Sequence, residues 1–300
     1  MRGILTTKRI IGLAMIKNEA DVIESFARHN LEYVDELHII LQQSVDGTRE
    51  IIEEMICEGL DIKLHDDNSP HFNQGEKFSE YGKALLSNPG CQTVVLLDAD
   101  EFIKAPTPEQ FTASLLSIPS DTLGYLLWES YVPTSQLTDS TLPVTKIITS
   151  RLVSEHSPVC KVLLTKRFLD ANLLVPMGSH IVYTQDNSRL AVKAAHIKSA
   201  ALAHFPVRSE KQIVAKIKNG VAALDSKYPG NNRVGHHWRK INSIIKDDHI
   251  DFHVLQLIAA DYQFKTDIID SGVLPELIFD PLPCAFQLKY FSHQNPHQEV

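Results

Sequence analysis

The sequence predicts an α/β fold with a mostly parallel sheet, helices on both faces and a C-terminal helical extension. Short apolar runs alternate with segments of helical periodicity along the first hundred residues, which is the order of β-α-β units. Beyond Val207 the pattern becomes helical. We therefore expect a sheet domain over residues 1–207, which carries the functional site, and a helical extension over residues 208–300.

The first, second and fourth strands are predicted from mainly apolar runs that end in polar or turn residues, and a third short strand is predicted between them. Helical periodicity fills the segments between them, and the hydroxyl of Thr48 is expected to cap the second helix after the Asp46-Gly47 turn. The predicted strands are 9–15, 36–41, 61–64 and 93–97, and the predicted helices are 22–33, 48–55 and 76–86.

The second half has a less regular pattern. Residues 133–143 are rich in Thr, Ser and Pro, and we expect them to form a mobile lid beside the cleft. Ser209 is expected to cap a helix that buries Ile213, Ile217 and Leu224. Strands are predicted at 123–132 and within 157–165 and 191–205, further helices at 238–245 and 252–262, and an irregular tail from residue 275.

Three carboxylates follow the fourth strand, in the run Asp98-Ala99-Asp100-Glu101. If this segment is extended, Asp98 and Asp100 project on one side and Glu101 points away from them, because the side-chain period is two. Ligands of open α/β sheets bind beyond the carboxyl ends of the strands. Two hard oxygen ligands there suit Mg²⁺ or Mn²⁺ carrying a phosphate-bearing substrate. The alternative is a solvated strand end.

Composition favours a cytoplasmic enzyme. With 300 residues and 43% hydrophobic residues, the chain can bury a large core. A net charge of −8 provides no basic surplus for a nucleic-acid partner. No apolar stretch approaches the ~18 residues of a membrane span, and residues 1–8 lack the apolar core of a signal peptide. Peripheral association with the inner face of a membrane stays open. The scattered cysteines predict free thiols and no zinc site: Cys57, Cys91, Cys160 and Cys284.

Three motifs occur together in a specific order: Lys17-Asn18-Glu19, Asp46-Gly47-Thr48 and the run from Leu96 to Phe102. In this order the chain resembles the family-2-type glycosyltransferases of the GT-A fold. It is most similar to the bacterial branch with a K-N-E start and a D-x-D-E-F strand end. The resemblance covers residues 9 to about 104 well and extends more loosely to Arg208.

This resemblance implies a Rossmann-type, GT-A-like domain over residues 1–207 that binds a nucleotide sugar and catalyses its transfer. It further implies a uridine diphosphate sugar as donor, a glycan or glycolipid acceptor, and inversion at the sugar carbon. Mn²⁺ or Mg²⁺ would be the cofactor, and synthesis of bacterial surface polysaccharide or lipopolysaccharide would be the context.

The resemblance also assigns roles to individual residues. It implies that Asp100 ligates the metal, that Asp98 contacts the ribose or the metal through water, and that His204 completes the metal shell. The alternative for His204 is a hydrogen-bonded core histidine. Lys17, Asn18 and Glu19 would meet the base and ribose. Asp46 would hydrogen-bond the base or, alternatively, act only as a turn residue.

Three cationic residues are candidates for the diphosphate on chemical grounds. Lys77 begins a predicted helix, Lys161 lies in a predicted strand, and Arg208 follows His204 closely. Arginine suits bidentate contact with phosphate oxygens. The alternative for each of them is a structural or solvent-facing role.

The catalytic base is the least determined part of the site. Inverting transfer needs a carboxylate or histidine near the acceptor hydroxyl. The family's E-D pair after the fifth strand is missing between Asp121 and Lys161. We take Glu129 and His180 as the candidates, and the remaining options are Asp139 and Glu155.

Two other functions compete with glycosyl transfer. A non-catalytic sugar-nucleotide or glycan-binding protein of the same fold would explain the missing E-D pair. A phosphatase of the haloacid dehalogenase type also uses D-x-D after an apolar strand, with the first Asp as nucleophile. Its motif usually opens the domain, whereas here three βα units precede it.

Overall fold

The computed structural model describes residues 8–69, 71, 73–136, 141–185, 193–231 and 234–290. Residues 137–140, which include the candidate base Asp139, lie outside the described residues. The strands are β1 (Arg9–Ile16), β2 (Glu36–Gln42), β3 (Ile62–Asp67), β4 (Cys91–Leu97), β5 (Glu101–Lys104), β6 (Leu123–Ser130), β7 (Ser150–Leu152), β8 (Cys160–Leu164), β9 (Ala194–His204) and β10 (Leu277–Phe279). The helices are α1 (Ile23–Asn30), α2 (Thr48–Glu58), α3 (Gln74–Ser87), α4 (Pro108–Leu116), α5 (Val144–Ile147), α6 (Lys166–Asp170), α7 (Glu210–Lys227), α8 (His236–Ile244), α9 (Phe252–Ala260) and α10 (Ile268–Ser271).

Eight of the strands form one sheet in the order β3-β2-β1-β4-β8-β6-β9-β5. The predicted α/β class is confirmed, although the sheet is more mixed than expected. Four of the seven neighbouring pairs are parallel: β3–β2, β2–β1, β1–β4 and β6–β9. The other three pairs are antiparallel and all lie beyond β4. Only the first half of the chain follows the regular β-α-β pattern, so only that half gives a purely parallel set.

The sheet must curl, because β4 and β5 are consecutive in the chain but lie four places apart in the strand order. Only residues 98–100 connect them, and three residues span at most about 10 Å. The β9–β5 pair therefore curves back toward the end of β4. The carboxyl ends of β1, β4, β6 and β9 meet the amino ends of β5 and β8 at one edge of this curled sheet.

Helices cover both faces of the sheet, as predicted. Alternate residues of β1 enter two different cores, with Ile10 and Ala14 in one and Leu13 and Met15 in the other. The first core receives the apolar sides of α1, α2 and α4, and the second receives those of α3 and α6. No helix among the described residues is long and apolar enough to cross a membrane.

The C-terminal helices follow the predicted pattern. The Ser209 hydroxyl accepts a hydrogen bond from the Gln212 N–H at 3.0 Å and caps α7, which buries Ile213, Ile217 and Leu224. α8 and α9 match the other two predicted helices within a few residues. The tail is more regular than expected, because β10 pairs antiparallel with β7.

The extension is not expected to fold without the sheet domain. Its core includes Val132, Leu152 and Val207, which all precede residue 208. A fragment of residues 208–300 loses these contacts and leaves apolar helix faces in water. We expect circular dichroism of this fragment to show no cooperative thermal transition, with the full chain as the control. A cooperative transition would instead make residues 208–300 an independent domain.

Candidate active site

The carboxyl edge of the sheet brings the three sequence motifs together. The Lys17-Asn18-Glu19 loop follows β1, and the Asp46-Gly47-Thr48 turn lies between β2 and α2. The Asp98–Asp100 segment follows β4, which is the parallel neighbour of β1. His204 ends β9 opposite Glu101 of β5. Residues that are more than a hundred positions apart thus share one edge.

The D-x-D segment is a turn and not an extended strand end. The Glu101 N–H donates to the Asp98 carbonyl oxygen at 3.0 Å, which closes a four-residue turn. The prediction that Asp98 and Asp100 project on one side of a strand is therefore wrong. Asp98 contacts Lys161, whereas Asp100 contacts Lys216.

Two side chains, those of Lys161 and Gln74, hold the Asp98 carboxylate in place. Lys161 on β8 places its Nζ 2.6 Å from Asp98 Oδ2, and Gln74 donates from Nε2 to Oδ1 at 2.7 Å. Lys161 is fully buried, whereas 31% of the Asp98 side chain is exposed. Burial lowers the pKa of Lys161, but the charges of Asp98 and Glu101 outweigh burial and raise it overall. Lys161 is thus a buried ammonium that holds Asp98. A direct phosphate contact of Lys161 stays a prediction.

Glu101 lies beneath the turn and completes this buried group. Its Oε2 accepts the Asp98 N–H at 2.8 Å, and its Oε1 accepts the Trp128 indole N–H at 2.8 Å. Lys161 Nζ lies 3.4 Å from Oε1. Burial raises the pKa of Glu101 well above its usual range, and the Lys161 ammonium opposes that shift. Glu101 therefore supports the turn from inside.

Gln74 was not predicted from the sequence as a site residue. Besides bonding Asp98, its Oε1 accepts the Gly178 N–H at 3.0 Å and ties the D-x-D turn to the loop before His180. This link needs a close approach of α3 to that loop. A Cβ at Gly75 would lie 2.5 Å from the Val175 carbonyl oxygen, so only glycine fits there. The one sequence signal was a glycine inside the first turn of a helix.

Asp100 lies in a nearly closed cluster of cations. It is 3% exposed, with Lys216 Nζ 2.6 Å and Arg208 Nη1 3.9 Å from its Oδ2. His204 Nε2 lies 3.8 Å from Oδ1. Burial alone would raise the pKa of Asp100, but Lys216 and Arg208 hold it below its usual range. Asp100 is therefore an ionised carboxylate. Lys216, the second residue that the sequence analysis missed, is its nearest partner.

Glu19 of the K-N-E loop holds Arg208 in place. Arg208 Nη2 lies 2.6 Å from Glu19 Oε2, and its Nε donates to Asp21 Oδ2 at 2.7 Å. Only 4% of the Arg208 side chain is exposed. Burial lowers the pKa of Arg208, yet Asp21 and Glu19 outweigh burial and raise it. Glu19 therefore positions the buried Arg208 guanidinium, and its contact with the base and ribose stays a prediction.

The other two motif residues and Asp46 form a braced pair of loops. Asn18 adopts the left-handed region at φ 54°, and its Oδ1 accepts the Val45 N–H at 2.8 Å. Asp46 accepts from the Ala20 N–H at 3.1 Å and from Thr48. Lys17 is exposed at the surface of the loop. Asp46 therefore has a bracing role, and base contact by Asp46 stays a prediction.

Thr48 does not cap α2, contrary to expectation. The residue before the helix is Gly47, which has no side chain to accept from the first turn. The Thr48 hydroxyl instead accepts the Glu19 N–H at 2.9 Å and donates to Asp46. The side chain expected to start the helix therefore connects two of the sequence motifs.

Lys77 lies in the first turn of α3 at some distance from the cationic cluster. Its Nζ is 3.9 Å from Asp67 Oδ1 and 3.6 Å from Glu80 Oε2. About a quarter of its side chain is exposed. The structure does not join Lys77 to Asp98 or Asp100, so its contact with a diphosphate stays a prediction.

His204 is packed as a neutral ring. It stacks on Trp128 with ring centroids 3.9 Å apart and is buried. Burial lowers its pKa to about 4, so the imidazole is uncharged at neutral pH. Its Nδ1 is buried and has no hydrogen-bond partner within the part of the chain that the structure describes. A neutral imidazole is the form that ligates metals.

The two candidate bases are in different surroundings. Glu129 projects from β6 on the face opposite Trp128 and Ser130, because side chains alternate along a strand. Its carboxylate lies 2.5 Å from Lys104 Nζ and 3.2 Å from Arg151 Nε, in a network with Asp280. These ion pairs favour a structural role for Glu129, whose catalytic role remains a prediction.

His180 is nearer to the D-x-D turn. Its Nδ1 lies 2.7 Å from the Cys160 carbonyl oxygen, and its ring meets Trp128 edge-on at 5.4 Å. Burial lowers its pKa, and the Lys161 ammonium lowers it further. His180 is thus a half-buried neutral ring beside Trp128, and its role at the acceptor site stays a prediction.

No protein-family model matches the chain, and no curated protein is significantly similar to it in sequence. Several solved structures are similar to it at low identity. S. aureus TarS 1-349 is 12% identical over 88% of this chain and 83% of that chain, with a TM-score of 0.40. The mannosyltransferase PcManGT from Pyrobaculum calidifontis, in complex with GDP-Man and Mn²⁺, is 12% identical over 89% and 74%, with a TM-score of 0.43. Glucosyl-3-phosphoglycerate synthase from Mycobacterium tuberculosis, with Mn²⁺, UDP and glucosyl-3-phosphoglycerate, is 16% identical over 73% and 79%, with a TM-score of 0.36.

Proposed function

We propose that this protein is a GT-A-type glycosyltransferase that moves a sugar from a nucleoside diphosphate donor to a hydroxyl group of a glycan or glycolipid. The observation that carries the proposal is the Asp98–Asp100 turn at the carboxyl edge of the sheet. There an ionised Asp100 lies beside a neutral His204, the buried Arg208 and the partly buried Lys216. Ligands of α/β sheets bind at this edge.

The cations suit the chemistry of a diphosphate leaving group. When the bond between the sugar and the diphosphate breaks, negative charge grows on the phosphate oxygens. Fixed positive groups in a site that excludes water stabilise such charge strongly. Glu19 and Asp100 hold the side chains of Arg208 and Lys216 near each other, so the positions of these two cations do not depend on bound substrate. Arginine adds bidentate geometry toward phosphate.

The side chains at Asp100 suit a divalent ion that takes its remaining ligands from water and from the substrate. The described residues contain no group of three or more His, Cys, Asp or Glu side chains placed to hold a metal. Asp100 and His204 nevertheless supply two suitable ligands. Mg²⁺ sites often use one or two carboxylates and take further oxygens from water and substrate phosphates. Bound there, Mn²⁺ or Mg²⁺ would neutralise charge on the diphosphate, with Asp98 nearby.

The finer assignment follows from the resemblance of the motifs. We propose a uridine diphosphate sugar as donor, contact of the 17–19 loop with the nucleoside, and inversion of configuration. The proposed setting is the synthesis of bacterial surface polysaccharide or lipopolysaccharide, at the cytoplasmic face of the membrane. Lys17 is the exposed member of that loop.

Calorimetric titration with UDP, GDP, CDP and ADP, each with and without Mn²⁺, tests the proposal. We expect UDP to bind most tightly and only with Mn²⁺. A ligand at 100 times its Kd stabilises the native state by about 2.7 kcal/mol, so UDP with Mn²⁺ should also raise the Tm. Preference for a purine diphosphate would contradict the uridine assignment. Failure to bind any of the four nucleotides would contradict the proposed function itself.

A further inference from the structure

A narrow cleft adjoins the Asp100 cluster at His204. It opens between the end of β6 and the segment that follows α9, and its lining includes both apolar rings and polar groups. Among the lining residues are Trp128, Ser130, Glu155, His204, Tyr262 and Lys265.

Glu155 is the carboxylate of this cleft. It is half-buried, and it accepts the Ser130 backbone N–H at 2.6 Å and the Ser130 hydroxyl at 3.1 Å. Both bonds come from one residue at the end of β6, so the carboxylate is fixed relative to the sheet. Burial raises the pKa of Glu155. Glu129, whose side chain leaves the opposite face of β6, is by contrast paired with Lys104 and Arg151.

The cleft is continuous with the Asp100 cluster through His204. The His204 ring lines the cleft, and its Nε2 lies 3.8 Å from Asp100 Oδ1. Ser130 is the register partner of His204 on the neighbouring strand, and Glu101 is the partner of His204 on the other side. Neighbouring strands are about 4.8 Å apart, so the strand that anchors Glu155 lies roughly 10 Å from the D-x-D turn.

Residues after α9 close the cleft from the opposite side. The Tyr262 ring lies 5.6 Å from the His204 ring, and Lys216 lies 6.0 Å from the centre of the Tyr262 ring. These rings are nearly buried, with 5% of Trp128, 2% of His204 and 8% of Tyr262 exposed, so the cleft is narrow and suits the entry of a hydroxyl group beside the fixed carboxylate.

We propose that this cleft admits the reacting hydroxyl of the acceptor saccharide and that Glu155 is the catalytic base of the transfer. The inference rests on the proposed glycosyltransferase function and deepens it. The acceptor oxygen forms a bond to the anomeric carbon while the bond from that carbon to the diphosphate oxygen breaks. The bonding electrons leave with the nucleoside diphosphate, and the acceptor hydroxyl proton passes to Glu155. No other reactant is needed.

The variant Glu155→Gln tests this role with little change of structure. Its amide oxygen can accept the Ser130 N–H, and its amide nitrogen can donate to the Ser130 hydroxyl. Glu276→Gln is the matched control, because Glu276 is exposed and its carbonyl oxygen accepts the Val153 N–H in the same region. For all three proteins, three properties should be measured: the Tm, UDP binding with Mn²⁺, and UDP release from UDP-glucose, UDP-galactose and UDP-N-acetylglucosamine. The release assays use methyl glycosides of glucose, galactose, mannose and N-acetylglucosamine as acceptors.

We expect Glu155→Gln to lower UDP release by about 10²–10⁴-fold, which is the usual contribution of a general base, with UDP binding unchanged. Glu276→Gln should match the wild type. Saturation-transfer NMR should show at least one methyl glycoside bound to the wild type and to Glu155→Gln.

Three results would overturn the proposal. The first is near-normal release by Glu155→Gln, the second is loss of UDP binding in that variant, and the third is a wild type that binds UDP but none of the glycosides. A wild type that binds no nucleoside diphosphate at all is a different result, because it defeats the proposed function rather than the role of Glu155.

Discussion

Replacing Asp100 by asparagine is expected to lower glycosyl transfer by about 10³-fold or more and to remove the effect of Mn²⁺ on UDP binding. The change removes the ionised ligand of the proposed metal site and the partner that positions Lys216, 2.6 Å away. Charge stabilisation at a leaving group contributes effects of this size. Calorimetry with and without Mn²⁺ separates the loss of metal binding from the loss of turnover.

The same variant should also be less stable, contrary to what a solvated strand end would predict. Asp100 is 3% exposed and compensates Lys216 and Arg208. Removing one partner of a buried ion pair costs about 3 kcal/mol at the low end of the measured range. The low end applies because Glu19 remains 3.7 Å from Lys216. Urea denaturation measures this difference.

An exposed aspartate provides the control for Asp100. Asp121 pairs with Lys193 at 3.0 Å, and both side chains are more than half exposed. Asp121→Asn should leave transfer, Mn²⁺ dependence and stability unchanged. If Asp100→Asn retained Mn²⁺-dependent UDP binding, the metal assignment would be wrong, whatever its stability.

The parallel half of the fold was predictable because its signals are local. β1, β2 and β4 are short, mainly apolar runs. The alternation of Ile10 with Leu13 between two cores follows from a sheet covered on both faces. That order alone places the ends of β1 and β4 at one edge. The meeting of the K-N-E loop with the D-x-D segment therefore follows from the order of the motifs along the chain.

The partners of the acids were not predictable in the same way. Lys216 reaches Asp100 from a helix that begins 110 positions later in the chain, and no local pattern marks that contact. Gln74 reaches Asp98 only because Gly75 allows α3 to approach the 175–178 loop. The D-x-D turn was mistaken for a strand end because apolar residues continue in β5. Its reversal depends on the buried Glu101, which binds the Asp98 N–H.

Glu155 shows why residue type alone does not identify a catalytic base. From the sequence, Glu129 and Glu155 are equivalent carboxylates near the end of a strand. In the structure, strand alternation turns Glu129 toward Lys104, whereas the Ser130 N–H and hydroxyl fix Glu155 in the cleft beside His204. Side-chain direction at the end of β6 therefore favours the residue that the sequence alone did not.

Replacing Lys161 by methionine is expected to give the largest loss of stability among the site variants. Lys161 is fully buried and lies beside Asp98 at 2.6 Å and Glu101 at 3.4 Å. Methionine fills a similar volume but leaves these two carboxylates without their cation. Breaking a buried ion pair in this way costs about 3–5 kcal/mol. At roughly 2–4 °C per kcal/mol for a chain of this size class, the Tm should fall by about 10 °C.

The pH dependence of that loss distinguishes a missing charge from poor packing. Burial already raises the pKa of Glu101 in the folded wild type, and in the Lys161→Met variant this pKa should rise further because the opposing ammonium is gone. The folded variant then binds more protons than the unfolded chain as the pH falls, so its stability relative to the wild type should be greater at pH 5 than at pH 8. Adding Glu101→Gln should recover part of the loss, because it removes one unpaired charge. Lys193→Met is the matched control, since Lys193 forms the exposed pair with Asp121. A loss that is equal at both pH values and unaffected by Glu101→Gln would mean that Lys161 contributes packing only, and that Asp98 does not depend on its charge.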